Sequence, residues 1–143
     1  MAFAAFVTWL VGALGGLCLV AIWLIEYDES VSATRLPRTV VGAHGLLAVG
    51  GLALWYGYLA TDARRFAWAA AVVLAAVTLL GLILGRRWIG VYRAHSAVAR
   101  RRGPGSDAPP ERHLPLPVVI AHGMLAGATI VLVVLTALSI RRS

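Results

Sequence analysis

A chain of 143 residues with 60% hydrophobic and only 13% charged residues lies outside the composition of soluble domains, where about 25% of residues are charged. Length and apolar content leave no room for a separate soluble domain beside the apolar segments. The net charge of +7 falls in links next to those segments, so anionic lipid headgroups are its natural partner; no nucleic-acid motif is present.

Four apolar stretches can each cross a ~30 Å hydrocarbon core as a helix rising ~1.5 Å per residue. Their expected bounds are 2–25, 39–60, 66–85 and 117–140, with a basic flexible stretch over 86–116. The fold class expected is therefore all-α integral membrane, a single four-helix bundle. All thirteen basic residues are arginine, which fits a GC-rich bacterial genome and the plasma (inner) membrane of a bacterium.

The first segment has Trp9 near one end and Trp23 with Tyr27 near the other, as aromatic residues at two interfaces require. Gly12, Gly15 and Gly16 let a neighbouring helix approach. No basic region precedes the segment, and Leu17 before Cys18 does not suit lipoprotein cleavage, so it is expected to stay as a helix. Cys18 is the one cysteine. It forms no disulfide within the chain and no C-x-x-C-H haem attachment site, and is expected as a packed thiol.

An acidic link with Glu26, Asp28 and Glu29 precedes Arg35, Arg38 and the helix-starting Pro37. The second segment ends in Trp55, Tyr56 and Tyr58. The link from Thr61 to Arg65 is short enough to force segments two and three into an antiparallel hairpin. Segment three, with Thr78 its one polar residue, is expected to serve packing and the lipid. From Arg86 to about Arg102 the chain either prolongs that helix or lies along the membrane surface. Gly103 to Pro110 has the composition of a flexible link. The fourth segment ends beside Arg141 and Arg142.

Arginine counts predict orientation. Links one and three carry nine (Arg35, Arg38, Arg86, Arg87, Arg93, Arg100, Arg101, Arg102 and Arg112), against four (Arg64, Arg65, Arg141 and Arg142) on the other side. This places links one and three in the cytoplasm and both termini outside.

The strongest signal is an internal repeat. Leu36 to Ala48, LPRTVVGAHGLLA, returns 78 positions later as Leu114 to Ala126, LPLPVVIAHGMLA, with nine of thirteen positions identical. Each copy sets one histidine, His44 or His122, inside an apolar segment. An even number of crossings separates segments two and four, so they run parallel and their histidines lie at one depth, roughly 10 Å past the proline. Two duplicated helical hairpins about a twofold axis along the membrane normal would offer an imidazole to each face of one flat ligand.

Iron in a b-type haem with two axial histidines needs that arrangement, and helix bundles are a usual place for it. Imidazole also costs less to bury than a charged group. Ala48, Gly51 and Ala126 on the histidine faces leave space for a ring, and Gly45 and Gly123 permit close backbone approach. Arg35, Arg38, Arg112 and His113 stand where propionates would emerge, or serve as interface anchors. Structural hydrogen bonding across helices is the competing reading of the histidines. Zinc would want four ligands, and no acidic or cysteine partner lies at that depth. No acidic residue lies within the spans, which argues against a proton-coupled transporter. His95 receives no role, and His113 is the substitute ligand should segments two and four not pair.

With His44 and His122 so placed, the chain resembles, at the level of class, small four-helix membrane b-type cytochromes and the haem-binding anchor subunits of respiratory complexes such as succinate dehydrogenase. The resemblance covers the four-span layout and the paired histidines and includes no family-specific string. It implies electron transfer between quinones or partner redox subunits.

The expectation is thus a membrane cytochrome holding one non-covalent haem b between His44 and His122. It would relay electrons to or from a partner protein or quinone, as a relay or anchor rather than an enzyme with its own turnover. The alternative is a cofactor-free accessory or anchor subunit of a larger membrane complex, its histidines serving as interhelical hydrogen-bond groups. The oligomeric state is left open.

Overall fold

The computed structural model describes residues 1–27, 34–102 and 110–139, with side chains for all of these except 95–102. The chain is all-helical: α1 Ala2–Ile25, α2 Arg38–Thr61, α3 Arg64–Arg102 and α4 Leu116–Ser139, with a 3-10 turn at Pro110–His113 ahead of α4. All four helices are long and apolar enough to cross a membrane, α3 over Arg64–Ala94. Leu14, Leu46, Val49, Val72, Leu79 and Val131 are among the exposed apolar side chains, a surface compatible with contact to lipid.

Three helices agree with the expected bounds to within one residue. The third does not stop at 85: α3 continues unbroken to Arg102, so the basic stretch is an extension of the helix. Arginine and alanine are good helix formers, and no proline intervenes before Pro104. The expected flexible link lies outside the described residues, apart from Pro110, which is buried. His95, without an assigned role, belongs to α3, but its side chain is not among those described.

Both copies of the repeat start their helices in the same way. The Pro37 carbonyl accepts the N–H groups of Val40 and Val41 at 3.0 Å each, and the Pro115 carbonyl those of Val118 and Val119 at 3.0 and 3.1 Å. The α2–α3 hairpin turns on Asp62, which takes the left-handed conformation (φ 53°) and donates its N–H to the Tyr58 carbonyl at 2.8 Å. Aspartate tolerates that conformation better than most residues.

Each long helix packs along two neighbours: α1 and α3 both lie against α2 and α4, while α2 and α4 face each other across the diagonal and approach through the side chains of His44 and His122. Two apolar clusters fill the bundle. One gathers Ala5, Trp9, Trp55, Tyr58, Ala67, Ala70, Leu74 and Val133. The other, at the end where α2 and α4 begin, is a lid of Trp23, Leu36, Trp88 and Leu114. Between them lies a layer of small residues around His44 and His122.

A carboxylate ties the lid end together. Glu111 is fully buried, and its Oε1 accepts the Leu36 N–H at 3.0 Å and the Thr34 hydroxyl. The Trp23 indole N–H donates to the same Thr34 oxygen at 3.3 Å. The turn before the second motif thereby pins the first residue of the first motif. On the outer surface, Cys18 is exposed rather than packed.

Candidate functional site: a facing pair of histidines

His44 is the seventh residue of α2 and His122 the seventh of α4, about 9 Å along each helix. Their ring centres lie 6.2 Å apart, with planes crossed at 70°. Since α2 and α4 occupy one diagonal, the rings meet in the middle of the bundle.

Neither ring is held by its own helix. His122 hydrogen-bonds through Nδ1 to the Gly12 carbonyl of α1 at 2.9 Å, and His44 through Nδ1 to the Val77 carbonyl of α3 at 3.0 Å. A carbonyl can only accept, so each Nδ1 carries the proton. In a neutral ring so bonded Nε2 keeps its lone pair, and no described residue hydrogen-bonds to either Nε2. That tautomer is the one in which an imidazole ligates a metal, with a carbonyl orienting it from behind.

One helical turn beyond each carbonyl lies a glycine. A Cβ at Gly16 would fall 3.0 Å from His122 Cε1, and one at Gly81 would fall 3.0 Å from His44 Cε1. The two halves of the site therefore match in partner atom, hydrogen-bond length and ring contact.

No protein-family model matches the chain, and neither a curated protein nor a solved structure does. Its chemistry has to be read from these contacts.

The other expected site residues are distributed as follows. Ala48 and Ala126 lie one turn past their histidines and are half-buried. A Cβ at Gly45 or Gly123 would meet no atom within 4 Å, so neither glycine brings a described helix close. Gly51, expected to leave room for a ring, is instead filled by Trp9, whose Cζ2 would lie 2.7 Å from a Cβ there.

The basic residues collect at the lid end. Arg35 and Arg38 are exposed. The Arg35 carbonyl accepts from the Arg87 guanidinium at 3.2 Å, and the Arg38 guanidinium stands 4.3 Å from the centre of the Tyr27 ring. Arg112 is half-buried, and His113 Nδ1 lies 3.0 Å from the Glu26 carboxylate. The lid stands between this group and the histidines, because Trp23 and Trp88 follow Gly16 and Gly81 by seven residues each, roughly 10 Å of helix. The indole N–H of Trp88 is buried there without a partner, as is Glu111 Oε2.

The repeated motif marked the two histidine-bearing helices and gave no sign of the α1 and α3 atoms that orient the rings. The signal was in the sequence. Residues 1–27 and 66–92, offset by 65, share ten identities, among them Gly16 with Gly81, Trp23 with Trp88 and Tyr27 with Tyr92. The offset is 13 shorter than the 78 of the motif (78 − 65), because 22 positions separate Tyr92 from Leu114 where 9 separate Tyr27 from Leu36. A search at one fixed period overlooks it.

Proposed function

We propose that the chain is an integral membrane cytochrome holding one haem b between His44 and His122, built as two duplicated helical hairpins, α1–α2 and α3–α4. The observation that carries this reading is the histidine pair itself: two rings anchored at Nδ1, centred 6.2 Å apart across the bundle. Two imidazoles on opposite sides of one metal, with metal–nitrogen bonds of roughly 2.0–2.1 Å, have ring centres about 6 Å apart. Among the described residues no group of three or more His, Cys, Asp or Glu could complete a metal site. A metal that brings its own equatorial ligands, as haem iron does, suits a two-histidine site.

His44 and His122 would hold the iron, with the Gly12 and Val77 carbonyls orienting the rings at Nδ1. The unpartnered indole N–H of Trp88, at the end where the arginines gather, would be available to donate to an acid group of the ligand. When bound, the group supplies one-electron transfer between ferric and ferrous iron. The chain contributes two neutral ligands that need no charge in the bilayer, and apolar clusters above and below that exclude water. With the histidines near one face, a partner redox subunit or a quinone at that face would be the exchange partner. The charge asymmetry supports a cytoplasmic position for that face, in the inner membrane of a bacterium.

The Nδ1 bonds by themselves also satisfy the second reading, a cofactor-free accessory subunit with its histidines binding helices together. That reading gives no use for two rings brought within 6.2 Å of each other and each left with a free Nε2. The two separate on His44→Ala and His122→Ala. As a cytochrome, each variant loses the low-spin haem spectrum while circular dichroism still reports a helical bundle; a wild-type protein without haem would favour the second reading.

A further inference from the structure

Given that haem reading, we infer that Gly16 and Gly81 are positioning residues that hold the two imidazole planes crossed and so set the electronic character of the iron. Each ring is fixed at two points on a helix other than its own. Nδ1 is tied to a carbonyl, Gly12 for His122 and Val77 for His44, and Cε1 rests against the backbone of the glycine one turn on. Those two points, with the Cβ that ties each ring to its own helix, define the ring plane. The planes cross at 70°, with α1 holding one ring and α3, on the opposite side of the bundle, holding the other.

The angle has a spectroscopic consequence. In low-spin ferric iron the unpaired electron occupies a pair of d orbitals that interact with the π systems of the axial imidazoles. Parallel imidazoles act on one member of that pair and split it, which gives a rhombic three-line paramagnetic resonance spectrum. Crossed imidazoles act on both members alike and leave them nearly degenerate, which gives a strongly anisotropic signal with one dominant low-field feature. At 70° the histidines belong to the crossed class.

Only glycine leaves the rings where they are. An alanine Cβ at position 16 or 81 would stand 3.0 Å from an imidazole carbon, closer than carbon atoms pack, and the ring must pivot about its Nδ1 bond to clear it. Gly15 and Gly85 are matched controls: a Cβ at Gly15 comes no nearer to the histidine ring than 4.0 Å, and one at Gly85 meets nothing within 4 Å.

The test is low-temperature electron paramagnetic resonance of the oxidised, detergent-purified full chain, with Gly16→Ala, Gly81→Ala, Gly15→Ala and Gly85→Ala compared at equal haem content. The expected result is a single low-field feature in the wild type and both controls, moved towards the rhombic pattern in Gly16→Ala and Gly81→Ala. A rhombic wild-type spectrum, or Gly16→Ala and Gly81→Ala spectra identical to the wild type, overturns the inference and leaves the haem reading standing. A chain that binds no haem overturns both.

Discussion

Gly51→Ala separates two uses of one glycine. On the sequence pattern Gly51 shares the face of His44 and gives room to a cofactor; in the structure that room is taken by Trp9. An alanine Cβ would lie 2.7 Å from Trp9 Cζ2, 2.8 Å from Cη2 and 3.1 Å from Val73 Cγ1. Trp9 cannot swing away, since it is 4% exposed within a cluster that includes the fully buried Ala5 and Trp55. Overpacking of this kind costs about 1–3 kcal/mol, against which a glycine-to-alanine change in a helix interior gains about 1 kcal/mol. The net expectation is a destabilisation of about 1 kcal/mol, seen as a midpoint lower by a few degrees in thermal unfolding of the detergent-solubilised protein. Trp9→Leu, which copies Leu74 at the matching position of α3, should remove the clash, so that Gly51→Ala becomes neutral or stabilising in that background. A stabilising Gly51→Ala in the wild type would refute the packing account. Loss of haem at unchanged stability would return Gly51 to the cofactor.

Glu111→Ala removes the carboxylate acceptor of the Leu36 N–H and the Thr34 hydroxyl, which keep their bonds to each other, Leu36 N–H to Thr34 Oγ1 at 3.1 Å and Thr34 to the Leu36 carbonyl at 3.4 Å; it should cost about 1 kcal/mol, and Glu111→Gln, which keeps an oxygen there, less by the same unfolding assay. Thr129→Val removes the buried hydroxyl that stands 3.0 Å from Thr8 of α1, and should cost about 0.6–1.7 kcal/mol, the range for polar contacts between membrane helices. His113→Ala breaks a half-exposed contact with Glu26 and should change stability by less than about 1 kcal/mol, with the absorption spectrum unaltered; a lost Soret band would make His113 a ligand.

The four helices were legible because hydrophobic length is a one-dimensional property, and the histidines because their motif repeats almost intact. The end of α3 was not, since an arginine-rich stretch without a breaker reads equally as helix extension or surface segment until tertiary contacts decide. Gly51 and Gly16 illustrate the larger limit. Both are small residues on apolar helices, and the sequence does not say that one accepts an indole and the other an imidazole. Glu111 carried no signal either, because a single acid before a proline motif is indistinguishable from a solvated link residue. Its burial depends on Thr34 and Leu36, 77 and 75 positions away.

The most direct test of the haem account is an oxidised and dithionite-reduced absorption spectrum of the purified chain, with haem quantified as its pyridine haemochrome. The account predicts a Soret band, split α and β bands on reduction, and haem b close to one per chain. A colourless protein from a haem-supplemented culture would contradict it and leave His44 and His122 as hydrogen-bonding residues between helices.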